Sequence, residues 1–325
     1  MTSNEHFVRE DVRAYLTMLE QLGQPPIESV PVEQARAGYA AMMPMVDRDA
    51  RDLAIISDLN CPGPAGDIAL RLYDARESRG PGPVIMFFHG GGFVIGDLES
   101  HHNLCTEIAA VMDLPVVAVD YRLAPEAPFP AAPEDCEAAS RWIASSPEIL
   151  GRQAASLITM GDSAGGNLAI ITANTLGAFL ADVPVVMQVP IYPAADKASA
   201  YDSFKHFAEG FLLTAATIVW FSDQYAASPA DPRTFAMPGP ILGGSSGSPP
   251  TVLCTAGLDP LRDSGRNYAA HLVQQGTDVT YLEFKGSVHG FINLRKAIPS
   301  AQGDLETLLS AMKQMLAHIQ TEQIV

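Results

Sequence analysis

Leu157-Ile158-Thr159-Met160-Gly161-Asp162-Ser163-Ala164-Gly165-Gly166 decides how this chain is read. Leu157–Met160 has the length and apolar character of a buried strand, and a helical segment follows from Ala164 to about residue 180. Between them, Gly161-Asp162-Ser163-Ala164-Gly165 fits G-x-S-x-G, the sharp strand-to-helix turn that lifts a serine oxygen into a cleft. Gly161 and Gly165 remove the Cβ atoms that would block such a turn. The N-terminal dipole of the helix behind Ser163 acts on the same spot. An ordinary glycine-rich turn has similar composition; the strand before it and the helix after it favour the catalytic reading.

The same alternation extends outward. Val84–Phe88, Pro115–Val119, Val185–Ile191, Thr251–Thr255 and Val279–Phe284 are further short apolar runs bounded by glycine and proline, as suits a buried, mostly parallel sheet. Leu53–Ser57 and Asp67–Tyr73 read as two antiparallel strands, with Pro62-Gly63-Pro64 and Gly66 marking the turn. Helices are expected over about 8–22, 31–43 (stopped by Pro44), 99–112, 133–145, 164–180 and 262–275. Leu305, Leu308, Leu309, Met312, Met315, Leu316 and Ile319 mark a last one with a clear 3.6-residue period. The fold class is therefore α/β, with crossover helices on both faces of the sheet. One interval, from Pro193 to about 235, lacks a strand; Thr214 caps an aromatic-rich helix there, and the stretch is read as a lid over a cleft. Gly239–Pro250 reads as a surface loop.

Val84–Phe88 leads directly into His89-Gly90-Gly91-Gly92-Phe93, a glycine loop of the kind that offers backbone N–H groups to an oxyanion. Gly91 and Gly92, with Ala164 after the serine, are the expected donors; His89 is expected to hold the loop by hydrogen bonding. A serine hydroxyl is a poor nucleophile at neutral pH and needs a base, which in turn needs an acid to orient it. In the order serine, acid, histidine, the candidates for the base are His206, His271, His289 and His318. His271 and His318 fall inside helices and His206 in the insertion, whereas His289 lies in a loop after the last strand and is preferred. Asp259 leaves the preceding strand directly and is preferred as the acid; Asp263, a turn further on, is expected to cap a helix or pair with Arg262 or Arg266.

Composition limits the other possibilities. The chain has 325 residues, 47% hydrophobic, with a net charge of −17, a balance that repels nucleic acid and anionic membrane surfaces. No apolar run is long enough to cross a membrane, and the first residues do not resemble a secretory signal, so a cytoplasmic protein is expected. Cys61, Cys105, Cys136 and Cys254 are scattered and read as buried reduced thiols. His101-His102, near Asp97 and Glu99, has no further ligand cluster, so no metal is expected. The Gly90–Gly92 run lacks the pattern of a nucleotide-binding loop.

His89–Phe93, Asp120-Tyr121-Arg122-Leu123-Ala124-Pro125-Glu126, Gly161–Gly166, Asp259-Pro260-Leu261-Arg262-Asp263 and His289-Gly290-Phe291 together resemble the bacterial hormone-sensitive lipase-like esterases, the family IV carboxylesterases. The resemblance covers about residues 50–295. It implies an α/β-hydrolase fold: a mostly parallel eight-stranded sheet flanked by helices, under a helical cap. The cap is expected from residues 1–50 and 195–235, and the catalytic core from 51–194 and 236–325. The resemblance implies a triad of Ser163, Asp259 and His289 and an oxyanion hole of Gly91, Gly92 and Ala164. It also implies an apolar pocket wall from Phe211, Leu212 and Leu213. No cofactor is implied, the partner is a small-molecule ester of short to medium acyl length, and a homodimer is possible. Asp120, Arg122 and Glu126 are expected to pair among themselves near the cleft. An amidase or peptidase using the same triad, and a hydrolase-fold receptor that binds without reacting, stay open as alternatives.

Overall fold

The computed structural model describes residues 6–228, 230–231, 233–234 and 247–322. Two helices open the chain, α1 (Glu10–Leu22) and α2 (Val32–Val46). The core then runs β1 (Ile55–Gly63), β2 (Gly66–Asp74), β3 (Gly82–Phe88), α3 (His102–Met112), β4 (Val116–Val119), α4 (Ala131–Ala144), β5 (Ala154–Asp162), α5 (Ala164–Ala178) and β6 (Val185–Ile191). After the insertion with α6 (Asp202–His206) and α7 (Ala215–Tyr225) come β7 (Thr251–Leu258), α8 (Arg262–Gln274), β8 (Val279–Val288) and α9 (Ser300–Glu322).

The eight strands form one sheet in the order β1-β2-β4-β3-β5-β6-β7-β8. Only β2 is antiparallel to its neighbours; from β4 to β8 every pairing is parallel. Period-two alternation sends Ile85 and Phe87 of β3 into a core under α3 and α9, and Val84, Met86 and Phe88 into a second core under α4 and α5. Both faces of the central strands are thus dry, which explains their unbroken apolar runs.

Several strands run longer than the sequence expectation, β8 reaching Val288 rather than Phe284, and three boundaries differ for identifiable reasons. β1 reaches Gly63, so Pro62 and Gly63 lie in the strand and the turn is Pro64-Ala65. β1 is an edge strand, where proline is tolerated; its Asp58, Asn60 and Pro62 face solvent and conceal the alternation of Leu59 and Cys61. α2 does not stop at Pro44 but ends at Val46. Met43 and Val46 are buried, and the Val46 carbonyl accepts from Lys296 and Ala297 N–H at 2.9 and 3.0 Å, which fixes the last turn despite the missing proline donor. α3 starts at His102 rather than 99; Asp97 caps the turn before it, and Glu99 pairs with Arg71.

Within 195–235 the described residues contain no strand, as expected, and the Thr214 side chain accepts from Thr217 N–H at 3.0 Å to cap α7. Thr217 Oγ1 donates to Glu28 Oε2 at 3.0 Å, joining the insertion to the N-terminal segment. Most of the expected 239–250 loop lies outside the described residues. The four cysteines are buried and free, and no helix of the described residues is long and apolar enough to cross a membrane.

Candidate active site

Ser163 stands between β5 and α5 at φ 57°, ψ −115°. A serine pays for that backbone conformation in strain, and strain of this kind concentrates where geometry is functional. The surrounding glycines are forced by packing. A Cβ at Gly161 or Gly165 would strike the carbonyl of Phe88 at the end of β3, and one at Gly90 would strike the Asp162 carboxylate. The Ser163 N–H donates to the Ile191 carbonyl of β6 at 2.9 Å, so the turn is tied to both neighbouring strands.

His289, one residue beyond β8, directs Nε2 to Ser163 Oγ at 2.8 Å and Nδ1 to Asp259 Oδ2 at 2.7 Å. A carboxylate only accepts, so Nδ1 carries the proton and Nε2 is left to accept from the serine hydroxyl. Asp259, fully buried past the end of β7, is held by the Leu261 N–H on its other oxygen at 2.8 Å. The Tyr192 ring packs against His289 at 4.7 Å. Asp263 pairs with Arg262 and Arg266, as expected for the acid not chosen; His271 and His318 lie on α8 and α9, and His206 on α6.

The His89–Phe93 loop leaves β3 beside Ser163. No described group accepts from the N–H of Gly91, Gly92 or Ala164; Ala164 is the first residue of α5, where helical N–H groups have no intrahelical partner. Gly91 and Gly92 have φ of 117° and 61°. Their lack of a side chain answers to the protein itself: a Cβ at Gly91 would strike the Ile95 carbonyl, and one at Gly92 would fall into the Phe221 ring.

His89 holds the loop as expected, donating from Nδ1 to the Gly90 carbonyl at 2.8 Å. Tyr121 stacks on its ring at 4.3 Å and donates to its carbonyl at 2.7 Å. Burial, with the charge of His101 second, drives the His89 pKa down to about 4, so the ring is neutral. Asp162, almost fully buried, accepts from Gly90 N–H at 2.8 Å and faces His101 Nε2 at 3.2 Å. Burial pushes its carboxyl upward, but His101 and the Gly90 N–H outweigh it and leave the group below its ordinary value.

The expected Asp120–Arg122–Glu126 pairing is corrected. Arg122 pairs with Asp135 at 2.7 Å and Glu126 with Arg36 at 2.7 Å. The chain is extended or turning through this stretch, so partners come from α4 and α2 rather than from within it. Phe211 packs on Phe207 at 5.4 Å, and Leu212 is exposed, at φ 72°. Among the described residues no group of three or more His, Cys, Asp or Glu is placed to hold a metal ion. The contacts of Asp162, His101, Tyr121 and Phe221 go beyond the sequence signals: Asp162 lies in the serine motif, Tyr121 in the Asp120–Glu126 motif and His101 in a histidine pair, but each touches the glycine loop or Asp162 through a partner distant in sequence.

A hydrogen-bonded serine, histidine and carboxylate at the carboxyl ends of a mostly parallel sheet, beside backbone donors, is the arrangement of a serine hydrolase of the α/β type. Residues 85–293 match the alpha/beta hydrolase fold family, and the chain belongs to it, in its hormone-sensitive lipase-like branch. It is a serine carboxylesterase. It is 36% identical to an ethyl acetate hydrolase of Pseudomonas putida, over 94% of this chain and 98% of that one. It is 38% identical to the carboxylic ester hydrolase LipN of Mycobacterium tuberculosis, over 81% and 71%. A solved ester hydrolase from the metagenome of Lake Arreo, in complex with a bipyridine phosphonate derivative, superposes with a TM-score of 0.87 at 34% identity, covering 97% of this chain and all of that one.

Proposed function

We propose that Ser163, His289 and Asp259 are the catalytic triad of this carboxylesterase and that Gly91, Gly92 and Ala164 form its oxyanion hole. The observation that carries the reading is the continuous hydrogen-bond chain from Ser163 Oγ through His289 to Asp259, with steps of 2.8 and 2.7 Å. Ser163 Oγ attacks the ester carbonyl as His289 Nε2 takes its proton. The carbonyl oxygen becomes an oxyanion held by the three backbone N–H groups. The tetrahedral intermediate collapses to the acyl-enzyme as His289 protonates the departing alkoxide. Water, deprotonated by the same nitrogen, attacks the acyl carbon and releases the acid and Ser163. Asp259 keeps the proton on Nδ1 and stabilises the imidazolium that forms in each half.

The substrates are small esters of short to medium acyl length, a reading supported by the named activity of the Pseudomonas relative. Residues 1–50 and 195–235 act as the cap over a core of 51–194 and 236–325, with Phe211, Leu212 and Leu213 contributing apolar wall; the Thr217–Glu28 hydrogen bond between the two cap segments supports this division. Four buried free thiols fit a cytoplasmic enzyme.

Ser163→Ala is expected to lower kcat on p-nitrophenyl butyrate by about 10⁴-fold or more and to abolish labelling by a fluorophosphonate. Wild-type turnover in that variant overturns the assignment.

A further inference from the structure

The inserted helix α7 grips the oxyanion loop through two aromatic rings that differ in character. Tyr225 is an anchor. It is 5% exposed, stacks on Phe93 with centroids 3.8 Å apart and 6° from parallel, and meets the edge of Phe129 at 5.6 Å. Its carbonyl accepts from Phe129 N–H at 2.9 Å, so the helix end is fixed to the core by backbone as well. The other end is fixed by the Thr214 cap and the Thr217–Glu28 bond. Phe221 lies one turn before Tyr225, and its ring occupies the space a Gly92 side chain would need. Unlike Tyr225, Phe221 is only partly buried, and Trp220 flanks it at 5.1 Å. Gly92 and Ser163 are partly exposed as well. A rigidly held apolar ring therefore stands against the loop whose donors would receive the ester carbonyl, with part of its surface uncovered.

We propose that Phe221 is a specificity-determining residue: its ring limits how long a chain the ester can carry on the side that lies beside Gly92. The proposal rests on the esterase reading above. It explains why position 92 must be glycine, since any side chain there would displace the cap from the loop. It also assigns the size limit to a cap residue outside Phe211–Leu213. Tyr225 and Phe93 hold the helix; Phe221 meets the substrate.

The test measures kcat/KM for wild type, Phe221→Leu, Phe221→Ala and Phe221→Trp on two series, p-nitrophenyl esters from acetate to laurate and alkyl butyrates from methyl to octyl. In one of the two series, Phe221→Leu and Phe221→Ala are expected to raise the ratio of long-chain to short-chain kcat/KM by about tenfold or more, and Phe221→Trp to lower it. The series that shifts identifies which arm of the ester packs on the ring. A uniform change across both series, or none, overturns the proposal and leaves Phe221 as loop support. Should Phe221→Ala fail to fold, the leucine and tryptophan variants carry the same comparison in opposite directions. Fluorophosphonate labelling of Ser163 in each variant keeps the two readings apart. Labelled enzyme with an unshifted profile refutes the role of Phe221 alone, whereas unlabelled wild type refutes the Ser163 assignment beneath it.

Discussion

Asp162 shows how one side chain serves the residue beside it. Its carboxylate is nearly sealed from water and accepts the Gly90 N–H, so it binds the start of the glycine loop to the turn that carries Ser163. Asp162→Ala leaves that N–H and His101 without their partner. It is expected to cost about 1–3 kcal/mol of stability and, by letting the loop drift, up to about 10²-fold in kcat. Urea unfolding and p-nitrophenyl butyrate turnover read the two effects separately, and a variant with unchanged kcat removes Asp162 from the site. His89 gives a pH signature. Burial holds its folded pKa at about 4, below the roughly 6.5 of an unfolded histidine. Between those values the unfolded chain binds more protons than the folded one, so stability rises with pH across that window and is lost on acidification. The full difference is about 3 kcal/mol. Unfolding free energies measured from pH 7 down to 4.5 should fall with a slope that His89→Gln flattens; an unchanged slope in that variant refutes the assignment. The hydrogen-bonded trio of Ser163, Asp259 and His289, the proposed triad, was legible in the sequence because each directly follows a strand and chain order sorts them. The contacts of Asp162, His101 and Phe221 were not, because they depend on which loop the fold brings against them.

At the scale of elements, the end of α2 and the loop beyond His289 are one assembly. Asp47 takes Nε and Nη2 of Arg295 at 2.7 and 2.8 Å, and Arg295 is fully buried with Glu107 3.9 Å from Nη1. The Val46 carbonyl adds two backbone bonds to the same loop. A helix of the proposed cap thus reaches the segment that positions the proposed base. Asp47→Ala strands a guanidinium in a dry interior and is expected to destabilise by about 3–5 kcal/mol. Replacing both partners by leucine and methionine should recover much of that loss. A single variant within 1 kcal/mol of wild type in urea unfolding, roughly the value of an exposed ion pair, shows that the pair is not structural. The end of α2 has the same origin as this pair. Pro44 is a local stop signal, but Met43, Val46 and the Val46 carbonyl are held from across the molecule, and distant partners override local propensity.

Across the whole molecule, alternating strands and helices gave the class of fold and the number of strands, yet not their order. That β4 slots between β2 and β3 depends on a right-handed crossover and on which edge was free, neither of which a linear pattern encodes. Charge works at the same scale. The chain carries 37 acidic against 20 basic residues, so acids are in excess by 17, while the deeply buried pairs Asp74 with Arg152 and Asp47 with Arg295 lie beyond the reach of salt. Two effects then compete as salt is added. Screening weakens exposed ion pairs, each worth about 0–1 kcal/mol, and it relieves repulsion among the surplus acids, which opposes the compact state. With the screening length falling from about 30 Å at 0.01 M to about 8 Å at 0.15 M, the many-body repulsion is cut most, because it sums over distances longer than any single pair. Thermal unfolding at pH 8 should therefore show a Tm about 1–2 °C higher at 0.15 M NaCl than at 0.01 M, the shift of roughly 1 kcal/mol in a chain of this size. A Tm that falls with salt means that exposed pairs such as Arg71–Asp58 and Arg266–Glu283 outweigh the repulsion, and that the net charge of −17 is spread too thinly to matter.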